Sequence, residues 1–214
     1  MSSSEKDHYK IIYFDVRARA EPSRLILVYA GQNFEDKRVQ ADEFPALKPA
    51  LPFGQLPVLE VDHGRFVLTQ SVAIARYLAE KYGLAGQTEE EKARVNELVD
   101  WHKDIFNSVM NYPSIKSGFA SEMDEKTAYE KAFLPGIKKN FPIYQKLVEE
   151  SKSGFLVGSG LTFVDFFVSD FLLTVKQLEP KLLSQYSGLE KYIEQVHSLP
   201  QIKEYVEKRK YTIE

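Results

Sequence analysis

The chain has 214 residues, 43% hydrophobic and 28% charged, a formal net charge of −3 and a pI near 5.9, which suits a globular protein of one or two domains and disfavours a nucleic-acid partner. No apolar run approaches the roughly 18 residues needed to cross a bilayer, and the opening MSSSEKDHYK lacks the apolar core of a signal peptide, so no membrane partner and a cytoplasmic location are expected. With no cysteine there is no disulfide, thiolate zinc site or cysteine nucleophile, and any thiol chemistry must act on a thiol brought in by a ligand.

His8 to Phe14 is a strand candidate, followed by the loop Asp15–Arg19. A helix begins near Glu21-Pro22, with proline in its first turn, and stops at Gly31. Phe34 to Val39 reads as a second strand and Asp42 to Lys48 as a short helix or irregular turn. The stretch from Pro52 to Leu78 reads as strand, turn, strand, helix: Val58–Val61, the turn Asp62-His63-Gly64-Arg65, Phe66–Leu68, then Ser71, Ala73, Ile74, Tyr77 and Leu78 at helical spacing. Residues 8 to 84 therefore form a βαβαββα unit with a mixed sheet. The first two strands are parallel through their helix and the last two antiparallel through a tight turn, the order of thioredoxin-like domains.

Two joints of the Pro52–Leu78 stretch carry chemistry. Leu56-Pro57 opens a strand with a residue that cannot donate to the sheet and is a candidate cis bond. A cis bond there would free the N–H and C=O of Leu56 for an extended peptide-like ligand; the alternative is an ordinary trans proline. At Gln70-Ser71 the following helix begins, and its unpaired N–H groups can hold a carboxylate; the alternative is Ser71 as an ordinary N-cap.

After the break at Gly83–Gln87, Thr88 and Glu91 read as a capping box. Val95, Leu98, Val99, His102, Ile105, Phe106, Val109 and Met110 then mark a long helix. Helical segments continue over Asp124–Ser151, Phe163–Gln177, Gly188–Ser198 and Gln201–Lys208, with Thr162–Asp165 a second cap, so residues 89 to 210 form an all-helical domain. The four histidines, His8, His63, His102 and His197, lack metal-ligand spacing and read as turn or surface residues; no metal site is expected.

The segments Tyr9–Phe14, Arg17–Glu21, Pro52–Asp62 and Gln70–Leu78, in this order and spacing, resemble the cytosolic glutathione transferases over essentially the whole chain, with the sigma class the best match. The resemblance implies conjugation of glutathione, as co-substrate, to hydrophobic electrophiles by a homodimer. Tyr13 matches the tyrosine whose hydroxyl donates to the glutathione sulfur, with Arg19 assisting. A thiol of pKa about 8.5 is only about 3% ionised at pH 7, and lowering it by about two units requires about 2.7 kcal/mol. A hydrogen bond to a charged group contributes roughly 1.5–3 kcal/mol, so one tyrosine supplies most of it.

By the same likeness, Gln70 and Ser71 hold the γ-glutamyl end, Leu56 pairs its backbone with the cysteinyl unit ahead of Pro57, and Lys48 and Gln55 reach the glycyl carboxylate. Asp104 would approach the glutathione amine from the neighbouring subunit. The electrophile would lie against Phe14, Val16, Arg19, Phe106, Met110, Phe167 and Phe171. Three positions depart from the family pattern. Ala18 replaces a glycine beside the sulfur, Phe44 replaces a tryptophan at the glycyl end, and Lys103 interrupts the aspartates that gather magnesium in vertebrate prostaglandin D synthase. The competing expectations are a glutathione-dependent prostaglandin H to D isomerase or peroxidase, and a non-catalytic protein of the ligandin or lens crystallin kind.

Overall fold

The computed structural model describes residues 7–119 and 121–213. Strand β1 (Tyr9–Phe14) leads through α1 (Glu21–Tyr29) to β2 (Phe34–Val39), then the short α2 (Phe44–Leu47), the hairpin β3 (Val58–Val61) and β4 (Phe66–Thr69), and α3 (Ser71–Lys81). The sheet order is β2-β1-β3-β4, with β1 parallel to β2 and antiparallel to β3, and β3 antiparallel to β4. This is the expected thioredoxin-like arrangement.

Alternation along β1 sends its residues to two cores of unequal size. Tyr9, Ile11 and Tyr13 join Leu59, Val61, α1 and α3 in the main core, which continues into the helical domain. Ile12 joins Val39 and Val58 in a small cluster roofed by Phe44, Leu47, Leu51 and Leu56. The thin roof on that face is built from the same loop that carries Lys48, Gln55 and Leu56.

The helical domain comprises α4 (Glu89–Val109), α5 (Asn111–Lys116), α6 (Glu125–Thr127), α7 (Leu134–Ser151), α8 (Phe163–Leu178), α9 (Pro180–Leu183), α10 (Ser187–His197) and α11 (Lys203–Lys208). The segment expected as one helix over Asp124–Ser151 is α6 and α7 joined by a wide π turn at Ala128–Phe133. The short helices α5 and α9 have no counterpart in the sequence reading.

The two predicted caps differ in outcome. At α8 the box closes: Asp165 Oδ2 accepts from the Thr162 N–H at 2.7 Å, and Asp165 Oδ1 accepts from the Leu156 N–H at 2.9 Å and the Tyr192 hydroxyl at 2.8 Å. Burial nevertheless pushes this carboxyl up to about 6. At α4 the Thr88 hydroxyl accepts from the Glu91 N–H at 3.2 Å, but Glu91 turns away and accepts instead from the N–H groups of Gln87 and Ser159, at 2.7 and 3.2 Å. It ties the start of α4 to the loop before α8.

Helices α1 and α3 pack on α8, and ion pairs are buried across that contact. Arg17, 3% exposed, pairs with Asp170 and donates to Thr174 Oγ1 at 3.1 Å, Gln177 Oε1 at 3.0 Å and the Ile213 carbonyl at 2.9 Å. Arg209 reaches Glu21 at 2.7 Å and Asp170 at 3.3 Å, and Arg24 reaches Glu21 and Asp36, both at 3.0 Å. The network joins the loop after β1 to the middle of α8 and to the end of the chain.

Candidate active site

A groove of about 670 Å³ runs between the sheet unit and α4. Phe14, Arg19, Phe44, Lys48, Gln55, Leu56, Pro57, Gln70 and Ser71, nine of the residues anticipated from sequence, line it together. The Leu56-Pro57 bond is cis, and among the described residues the Leu56 backbone makes no hydrogen bond within the chain. Its N–H and C=O are open to a ligand.

Ser71 is not the N-cap. Gln70 takes that position, with no side-chain cap, so the N–H groups of the first turn of α3 meet the groove without a protein acceptor. Gln70 sits at φ 71°, ψ 112°, a conformation that costs a non-glycine residue of order 1–3 kcal/mol. Its Nε2 donates to Gln55 Oε1 at 3.0 Å, linking the start of α3 to the loop before β3. The stem of Lys48 packs over Gly54, where an added Cβ would meet Lys48 Cγ and Cε at 3.4 Å. Phe44 meets Phe14 edge to face at 5.1 Å.

Adjoining the groove, and sharing Arg19, Ser71, Val72 and Lys103 with it, is an apolar cavity of about 20 Å³ bordered by Phe106, Met110, Phe167 and Phe171. The Arg19 guanidinium stands over the Phe106 ring at 4.8 Å and donates to Asn107 Oδ1 at 2.8 Å, so it spans both spaces.

Three anticipated residues lie elsewhere. Val16 lines neither space, and its carbonyl accepts from Arg24 and Arg38, at 3.0 Å each. Asp104 is exposed on α4 outside the groove, where Asp100 is the lining acid and pairs with Arg76 at 3.5 Å. Tyr13 is 6% exposed, its ring in the main core 6.0 Å from the Arg24 guanidinium and edge-on to Phe14 at 5.5 Å. It does not line either space itself, though Phe14 beside it does.

The sequence reading missed Arg76, Lys103, Asn107 and His102. For two of them a signal was present: Lys103 and Asn107 fall at i and i+4 on the stripe of α4 that also carries Phe106 and Met110, both of which were anticipated. His102 corrects the surface reading of the histidines outright, being 2% exposed. Burial and the Arg19 charge push it down to about 3, so it is neutral at physiological pH. Among the described residues no group of three or more His, Asp or Glu side chains could hold a metal.

Ala18 sits at φ 31°, in the left-handed region where a Cβ costs about 1–2 kcal/mol. Ala18→Gly is therefore expected to raise stability, by about 0.5–1 kcal/mol once the extra chain entropy of glycine is subtracted. Urea unfolding measures this, and a destabilised variant would show that the loop is not strained.

Residues 9–80 match the family described as "Glutathione S-transferase, N-terminal domain" and residues 99–209 "Glutathione S-transferase, C-terminal domain". A "Probable glutathione S-transferase 7" of Caenorhabditis elegans is 44% identical over 205 residues, covering 96% of this chain and 98% of that one.

The chain belongs to the glutathione S-transferase family.

Among solved structures, this transferase is similar to a Nu-class protein from Haemonchus contortus, with TM-score 0.84, 39% identity, and 97% and 100% of the two chains covered. It is also similar to a protein described as monomeric Na-GST-3 from Necator americanus, with TM-score 0.86, 40% identity, and 96% and 98% covered. The transferase uses glutathione as co-substrate and conjugates it to electrophiles. The sigma class suggested by the motifs is not what these nematode relatives establish. No helix among the described residues is long and apolar enough to cross a membrane.

Proposed function

We propose that the groove holds glutathione extended, with its γ-glutamyl carboxylate at the first turn of α3 beside Gln70 and Ser71. The cysteinyl backbone pairs with Leu56, and the glycyl carboxylate lies near Lys48 and Gln55, with Phe44 as an apolar wall. The observation that carries this is the convergence of the open Leu56 backbone and the uncapped α3 N-terminus on one groove. Each end of the tripeptide thus meets positive charge or dipole, and its middle meets a strand-like edge.

The sulfur then lies toward Phe14 and Arg19, at the end of β1. There Tyr13 donates to it and Arg19 adds positive charge, favouring the thiolate. The electrophile lies against the apolar wall of Phe106, Met110, Phe167 and Phe171, at the mouth of the small cavity they border, and the thiolate displaces a leaving group or adds to an electron-poor carbon. The protein supplies positioning and anion stabilisation. With glutathione and 1-chloro-2,4-dinitrobenzene the purified protein should form the conjugate with saturation in both substrates. Absence of a rate above the uncatalysed one would refute the catalytic reading in favour of a binding protein.

A cytoplasmic homodimer completes the proposal, in which Asp104 reaches the glutathione of the neighbouring subunit. Phe53, 78% exposed on the groove loop, is an apolar surface of the kind a second copy covers, and sedimentation velocity decides between dimer and monomer. The mechanism rests on the residues named and not on a class label within the family.

A further inference from the structure

His102 is the one strongly buried ionisable group of the electrophile cavity that the chemistry above leaves without a task, apart from Asp170, which is held in the Arg17 ion pairs. Its ring lies among Phe106, Phe167 and Phe171, with centroids at 6.1, 6.0 and 5.5 Å. Nδ1 is 2.9 Å from the hydroxyl of Tyr144 on α7, which is 1% exposed. This is the only hydrogen bond of the Tyr144 hydroxyl among the described residues.

A buried phenol must donate its proton, and the acceptor within reach is Nδ1. That assigns the neutral tautomer with hydrogen on Nε2. Nε2 has no partner among the described residues, yet it is not among the buried polar atoms sealed from solvent, and the ring borders the cavity. The cavity, about 20 Å³, is large enough for one oxygen-sized group and too small for a ring.

We infer that His102 Nε2–H is a further catalytic group of the conjugation, a hydrogen-bond donor to the carbonyl oxygen when the electrophile is an α,β-unsaturated ketone or aldehyde. The inference deepens the glutathione-conjugation reading and rests on it. In the reaction the glutathione sulfur forms a bond to the β-carbon. The C=C pair moves to the bond between the α-carbon and the carbonyl carbon, and the carbonyl π pair moves to oxygen. The resulting enolate oxygen accepts from Nε2–H, which keeps its proton. The α-carbon then takes a proton from water, and the hydroxide is neutralised by the proton the thiol released on ionising. Tyr144 is a positioning residue, holding the tautomer.

The test is the ratio of kcat/KM for 4-phenyl-3-buten-2-one to that for benzyl chloride, whose leaving group departs in line and offers no oxygen. A ratio cancels any loss of folded enzyme. His102→Phe should lower it about 10- to 100-fold, the value of one hydrogen bond to a charging oxygen. His102→Gln, which restores an N–H near Nε2, should bring it back to within a few-fold, and Tyr144→Phe should lower it in part by releasing the tautomer. An unchanged ratio in His102→Phe, or a wild type that conjugates the chloride but not the enone, overturns the inference while leaving glutathione conjugation intact. A wild type inert to both removes both readings.

Discussion

Tyr13→Phe is expected to lower turnover with 1-chloro-2,4-dinitrobenzene roughly 10- to 100-fold at pH 7 and to leave the affinity for glutathione nearly unchanged. The size follows from the proposed bond: a hydrogen bond to an anion contributes roughly 1.5–3 kcal/mol, and 1.36 kcal/mol is one decade. The sign is fixed by which form the hydroxyl favours. Donating to the thiolate lowers the thiol pKa, so removing the donor raises it, and the rising limb of the pH–rate profile moves to higher pH. At high pH, where the thiol ionises unaided, the variant should recover toward wild type. The expectation also requires the Tyr13 hydroxyl to reach the sulfur past Phe14, its edge-on neighbour at 5.5 Å. A crystal structure with S-hexylglutathione would measure that distance. An unchanged pH profile would transfer the task to Arg19 and the α3 dipole.

The second large effect is on stability. Arg17→Met is expected to cost about 3–5 kcal/mol, because it strands a buried carboxylate that Arg209, 3.3 Å away, only partly compensates. Burial alone would push Asp170 up, but Arg17, Arg209 and His197 pull it below the ordinary carboxylate range. A depressed carboxylate contributes stability that is fully present above its unfolded pKa of about 3.9 and is lost as pH falls through the lower folded value. Removing Arg17 raises that folded value and shrinks this contribution, so the deficit of the variant relative to wild type should be full above about pH 4 and narrow as the pH falls below it. For a chain of this size the melting temperature should fall by about 6–20 °C at pH 7. Arg17→Lys should recover little of this, since one ammonium cannot serve Asp170, Thr174, Gln177 and the Ile213 carbonyl together. A melting temperature within about 2 °C of wild type for Arg17→Met would show the network to be energetically idle. Because Arg17 precedes Ala18 and Arg19, loosening it should also raise the KM of both substrates.

The sequence by itself determined the sheet and much of the groove. Strand alternation, the proline opening β3, the tight turn at Asp62–Arg65 and the break before α3 are local signals, each written within a few residues. They suffice to put Leu56, Gln70 and Ser71 on neighbouring edges of one unit. Tertiary structure alone decided the rest. A helical period states which residues of α4 share a stripe but not what that stripe faces, so Lys103 and Asn107 entered the groove and Asp104 did not. Burial keeps His102 neutral and Tyr144, 42 residues away, meets its Nδ1, while Arg17 became a structural anchor because Asp170, 153 residues away, meets it inside the core. Partners at such separation leave no mark on local composition, since burial and charge pairing are properties of the packed surfaces and not of the segments that form them.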